Sequence, residues 1–192
     1  MRLIIFLILT NTIVAQTIEG KFTLLANQTV RLEGFNGLKT YSVANTTVDK
    51  NGMFELNYAQ EDHGVGYLIS SDKKPFLVIL SGEDIQLVGE SFSLSKTIKI
   101  VKGEENQWFE RYSQEYPKRE QALSAWIYLE KMYTRDSLFA VQKMPQHFIV
   151  QEKQRIIAED STFLADLPKD SYVSWFLPMR KLLSDASTIA QY

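Results

Sequence analysis

The chain of 192 residues contains no cysteine. That excludes disulfides, thiolate nucleophiles, Cys-ligated zinc and iron–sulfur clusters from the chain itself, so stability has to come from packing. Histidine is nearly as scarce, with His63 and His147 the sole copies. The two do not share a helical spacing, which removes the two-histidine metal motif. Glu61, Asp62 and His63 are consecutive, and adjacent side chains converge poorly on one ion. The stretch reads as a solvated loop, and no metal or cofactor is expected. His147, two residues after Pro145, reads as a surface group near a helix start. There is no Gly-x-Ser-x-Gly, and no Ser-x-x-Lys with its supporting motifs. Gly64-x-Gly66 is too short for a phosphate-binding loop and no helix follows it. Ser81-Gly82 reads as turn chemistry. The expectation is a chain without a catalytic centre.

Charge of one sign is also missing. Lys and Arg number 21 against 23 Asp and Glu, a formal net charge of −2 that becomes −3 without Arg2. A nucleic-acid partner, which demands a basic face, is not expected. Long apolar runs are absent beyond the N-terminus. There, Arg2 precedes the apolar run Leu3–Leu9, and Ile13-Val14-Ala15 leads into Gln16. That order matches a secretory signal peptide cleaved after Ala15. A spanning helix needs about 20 apolar residues, and this run is far shorter. No cysteine follows it, so lipid anchoring is excluded. The expected organisation is a signal peptide over 1–15, a β-sandwich domain over 16–102 and a helical region over 103–192. The expected location is the periplasm or cell envelope of a Gram-negative bacterium.

What is present changes character once. From Thr17 to Lys102 the pattern has the period of strands. Ile18–Leu25, Thr29–Phe35, Thr40–Val48 and Met53–Leu56 form the first four runs. Tyr67–Ile69, Phe76–Leu80, Asp84–Val88 and Thr97–Val101 complete about eight. Asn36-Gly37 is a turn pair. Asn51-Gly52 predicts a type I′ hairpin joining Thr47-Val48-Asp49 to Met53–Leu56. The pattern predicts an α+β chain, with an N-terminal antiparallel β-sandwich followed by helices.

At Gly103 the period becomes helical. Trp108, Phe109, Tyr112 and Tyr116 mark one helix, and Pro117 is placed to start a second. Ala122, Trp126, Leu129 and Tyr133 line the second helix. A third is predicted from about Pro145 to Leu164, with Ile149, Ile156 and Phe163 inward. Asp170 or Ser171 is the expected cap of a fourth. Its stripe is Tyr172, Trp175, Phe176, Met179, Leu182, Leu183 and Ala186, with Pro178 as a kink or restart. Glu104 and Glu105 are placed in a first helical turn, where negative charge suits the dipole. The aromatics have two readings: a groove for sugar or peptide, or helix faces that pack together, which is the commoner fate of such stripes. Trp126, Tyr128 and Trp175 are the candidate ligand or partner contacts. Tyr128 falls off its helix's main stripe and is the best candidate for an exposed ring.

A resemblance rests on the order of several strand motifs. They are Ile18-Glu19-Gly20-Lys21-Phe22, Val30-Arg31-Leu32, Thr47–Leu56 with its Asn51-Gly52, Gly66-Tyr67-Leu68-Ile69, Leu80–Leu87, and Val101–Asn106. In that order the segment from Ile18 to Asn106 resembles domain of unknown function 4369, the β-rich N-terminal domain of secreted Bacteroidetes-type thiol–disulfide oxidoreductases of the thioredoxin-like and AhpC-TSA kind. Glu104 departs from the small residue usual at that place. In that family a downstream thioredoxin-like domain with paired cysteines does the redox work, and no residue here matches it. The resemblance implies a non-catalytic accessory module whose partner is a thioredoxin-like domain or protein. It also makes the end at Tyr192 read as an early stop relative to such proteins. Two other readings stand beside it: a stand-alone envelope glycan- or peptide-binding protein, and an assembly partner that dimerises through its last apolar stripe. Ligand, substrate, redox partner and oligomeric state are not readable from the sequence.

Overall fold

A computed structural model describes residues 15–139 and 143–179. The proposed signal peptide, apart from Ala15, lies outside the described residues, as do Leu182, Leu183 and Ala186. The chain divides into two compact units after Gly103.

Among its described residues the first unit carries eight strands: β1 (Gln16–Phe22), β2 (Thr29–Asn36), β3 (Lys39–Thr47), β4 (Met53–Tyr58), β5 (Gly64–Ile69), β6 (Pro75–Leu80), β7 (Ile85–Gly89) and β8 (Lys99–Lys102). They form two four-stranded sheets, ordered β4-β1-β7-β8 and β3-β2-β5-β6. Inward residues of both sheets build one core that includes Ile18, Phe22, Val30, Leu32, Leu56, Leu68, Val78, Leu80, Ile85 and Leu87. Alternation explains the assignment. In β4 the buried residues are Phe54, Leu56 and Tyr58, with Met53, Glu55 and Asn57 exposed between them. Five of the six strand pairings among the described residues are antiparallel, as the pattern predicts for a sandwich of this kind. The β1–β7 pair is parallel. A parallel neighbour requires a long crossover, so no local turn motif can announce it.

The Asn51-Gly52 expectation needs correcting. β3 and β4 lie in different sheets, so this turn closes no hairpin ladder. The turn itself is tight. Asp49 N–H donates to the Met53 carbonyl at 2.8 Å, and the Asp49 carboxylate accepts the Asn51 and Met53 N–H groups. Gly52 has φ +81° while Asn51 does not have positive φ, which rules out the type I′ geometry. The chain is turned away from β3 by contacts on both sides. Val48 exchanges backbone hydrogen bonds with Asn27 and Gln28, and the Gly52 carbonyl accepts the Phe22 N–H at 2.7 Å. The two-residue hairpin is instead at Gly37-Leu38, where Asn36 pairs with Lys39.

The second unit opens with α1, one helix of 32 residues from Glu104 to Arg135. α2 runs from Met144 to Asp166. A third helical run, α3, covers 172–179. Pro117 does not start a second helix but lies inside α1. It removes one internal hydrogen bond, to the Ser113 carbonyl four residues back, which alone would break or kink a helix. Contacts with α2 hold both sides of that gap. Tyr112 packs on Phe163 before it, with ring centroids 5.6 Å apart, and Arg119 pairs with Glu159 and Asp160 after it. Ile149, Ile156 and Phe163 of α2 are buried, as their spacing predicts. Pro178 likewise falls within the helical run of α3.

Candidate functional site

α1 and α2 form an antiparallel hairpin. Tyr112 meets Phe163 near one end, and Trp126 meets Phe148 toward the other. Between these ring contacts lies a charged seam. The Arg119 guanidinium, 13% exposed, contacts Glu115 at 3.0 Å, Glu159 at 2.7 Å and Asp160 at 3.1 Å. Burying a charge this deeply is tolerable only when its hydrogen bonds are met, and three carboxylates meet them here. Arg111 sits over the Phe163 ring at 5.6 Å, and Tyr112 stacks on Tyr116 at 5.1 Å. Burial is the first cause raising the Tyr116 phenol above its ordinary range, followed by its hydrogen bond to Glu120.

α3 is set against the start of α1. The Glu105 carboxylate accepts the N–H groups of Tyr172 and Val173 at 2.8 and 2.9 Å. The Ser171 hydroxyl accepts the Ser174 N–H at 3.1 Å. Of the two expected caps, Ser171 therefore fills the role. The first three helical N–H groups are met by one side chain from within the turn and one from a distant helix. Glu105 does sit in the first turn of α1, but its charge serves the N-terminus of α3. Phe109 packs on Phe176 at 5.9 Å, so α1 and α3 run in the same direction.

The three candidate aromatics do not converge. Trp126 stacks on Phe148, with centroids 4.6 Å apart and planes 20° from parallel, and is partly buried by that contact. Trp175 packs edge-on against Tyr172 at 4.7 Å, and its neighbour Phe176 reaches Phe109. Seventeen residues of helix separate Phe109 from Trp126, a rise of about 25 Å. Tyr128 is 64% exposed. It lies two residues from Trp126, which places the two rings on opposite sides of α1. A single groove lined by all three is therefore not built.

Two surface features were not anticipated. One is an apolar cavity of about 300 Å³ at the end of the hairpin, lined by Trp126, Leu129, Tyr133, Phe139, Met144 and Phe148 among others. The other is an open depression of about 430 Å³ on the outer face of the β4-β1-β7 sheet. Glu19 and Glu55 oppose one another there across the β1–β4 ladder, and Gln86 donates to Glu19 at 3.3 Å. Their opposition depends on a register between distant strands, which no local pattern reveals.

The remaining polar candidates have structural employment. Asp62 accepts the Tyr41 hydroxyl at 2.8 Å and the Ala59 N–H at 2.9 Å. His63 lies against the Tyr58 ring at 6.2 Å. Among the described residues, no three His, Asp or Glu side chains are grouped to hold a metal ion. His147 is exposed near the start of α2. No helix among the described residues is long and apolar enough to cross a membrane.

No family model matches the chain, and no curated protein matches it. Among solved structures, a 9R-lipoxygenase from Cyanothece PCC8801 is similar over 40% of this chain, at 15% identity and a TM-score of 0.32. The match spans 16% of the lipoxygenase chain. A likeness that slight carries no argument about fold or chemistry.

Proposed function

We propose that the chain is a non-catalytic accessory module of an exported thioredoxin-like thiol–disulfide oxidoreductase system, located in the periplasm or cell envelope of a Gram-negative bacterium. Its role is to recognise a substrate or to position the redox domain. The observation that carries this reading is the order of its parts: a two-sheet sandwich ending at Lys102, then helices, in a chain without cysteine. The export component is supported by the start of β1 at Gln16, directly after the small residue Ala15. Cleavage there leaves every strand among the described residues whole. With no thiol in these 192 residues, a mixed disulfide has to form on cysteines outside them.

The deciding experiment begins with the DNA beyond the Tyr192 codon. An in-frame or adjacent thioredoxin-like sequence with Cys-x-x-Cys, whose product binds this chain in calorimetry, is the expected result. An isolated gene, or a neighbouring redox protein that does not bind, overturns the proposal. Thiol-reductase activity of the purified chain alone overturns its non-catalytic part.

The exposure of Tyr128 favours a second reading, that of a stand-alone envelope protein for glycans or peptides. Glycan- or peptide-array binding that is lost on Tyr128→Ala would decide for it.

A further inference from the structure

Exposed apolar side chains crowd the end of the hairpin where α1 gives way to α2. Leu138 is 76% exposed, Tyr128 64%, Met144 60% and Met132 49%. Single exposed apolar residues are ordinary, whereas contiguous ones mark a binding surface. Met132 is four residues from Tyr128 and three from Leu129, so the three are neighbours on the helix surface. Leu129 also borders the apolar cavity, together with Phe139 and Met144. Strip and cavity are therefore one surface.

Its border is basic. Lys131 and Arg135 follow the strip along α1, and Lys143 stands beside Met144, all three exposed. None of these cations has a carboxylate partner among the described residues. Arg111, Arg119 and Arg155 of the same hairpin each have at least one. Two acids occur between residues 128 and 144, Glu130 and Asp136, and the Asp136 carboxylate accepts the Leu138 N–H at 2.9 Å.

Unpaired cations beside a protruding apolar strip that ends in a tyrosine suit the boundary between lipid headgroups and acyl chains. Apolar side chains and the stems of Lys and Arg enter the boundary, while the charges meet phosphates. We propose that this end of the α1–α2 hairpin docks on the surface of a membrane containing anionic phospholipid. The attachment is peripheral. It does not depend on the redox-partner reading.

The test is flotation of the purified chain with vesicles of phosphatidylglycerol and phosphatidylcholine, against phosphatidylcholine alone, at low and high salt. The chain is expected to float with the anionic vesicles at low salt and to be released by high salt. Lys131→Glu, Arg135→Glu and Lys143→Glu combined should weaken binding roughly a hundredfold. Met132→Asp with Leu138→Asp should weaken it with the cations intact. All five positions are exposed, so circular dichroism should show unchanged helix content. Wild type and variants share one N-terminus, so their difference is blind to any binding by the leader. Equal flotation of all forms, or no preference for anionic lipid, overturns the proposal. So does a salt-stable dimer that the Asp variants dissociate, with no flotation, which assigns the surface to a second copy of the chain.

Discussion

The carboxylate of Glu105, near the start of α1, holds the backbone N–H of Val173 at 2.9 Å, and both residues are buried. The second oxygen takes the Tyr172 N–H. One side chain thus anchors a helix that begins 67 residues later.

Removing that anchor should loosen α3 without disturbing the sandwich. Glu105→Ala leaves two helix N–H groups without their acceptor and should cost about 2 kcal/mol. Glu105→Gln keeps one good acceptor and should cost less. Hydrogen exchange at Tyr172 and Val173 should accelerate in both variants, and denaturant unfolding gives the energies.

Gly20 is required by the ring beside it. A Cβ built at Gly20 would run into the ring of Phe54, its register partner across β1–β4. Gly20→Ala should destabilise the sandwich by about 1–3 kcal/mol through overpacking. Adding Phe54→Leu should recover part of that loss. A double-mutant cycle measured by urea denaturation would show the coupling.

The two Asn-Gly pairs should age differently. Deamidation starts when the glycine nitrogen attacks the asparagine side-chain carbonyl and ammonia leaves. Water then opens the ring to Asp or isoAsp. Gly52 is buried, and its N–H donates to the Asp49 carbonyl at 3.0 Å. Gly37 is exposed at a hairpin tip, with open space around its Cα hydrogen position. Peptide mass spectrometry after incubation at mildly alkaline pH should find deamidation at Asn36 well before Asn51.

Stability should fall at both pH extremes, for different groups. The hydrogen bond and charge of Lys102 hold the Asp84 carboxyl below its ordinary 3.8, and the Met53 N–H does the same for Asp49. A depressed carboxylate contributes stability that is present above its unfolded pKa and lost as pH falls through the folded one. Burial pushes Tyr58 and Tyr41 up from 10.0 to about 12. Their neutral forms are favoured in the fold, so that contribution is present below 10.0 and lost as pH rises toward 12. Denaturant midpoints across pH should show both limbs. Asp84→Asn should flatten the acid limb and Tyr58→Phe the alkaline one.

Local signals were the legible part of this molecule. Alternation placed the strands, and the spacing of Ile149, Ile156 and Phe163 placed α2. Ser171 could be read as a cap because its partner is three residues away. Asn51-Gly52 misled because turn chemistry specifies a reversal and not which sheet receives the next strand. Pro117 misled because its local cost is offset by Phe163, Glu159 and Asp160, all more than 40 residues away in sequence. The candidate aromatics were identified one by one, but their grouping depends on which helices pair. That is why Trp126 found Phe148 on α2, while Tyr128 remained in solvent and Trp175 met Tyr172 of its own helix.

The place of β1 has a kinetic consequence. It is an inner strand of its sheet, flanked by β4 and by β7. The parallel pairing joins Ile18 to Ile85, so the earliest of the described strands to be made is completed by one of the last. The β2–β3 and β5–β6 hairpins need only near neighbours and can form early. The other sheet must wait until residue 89 has been synthesised and its long loop has closed. Folding of the sandwich should therefore be slow for its size, with its rate set by the arrival of β7 and not by any local turn.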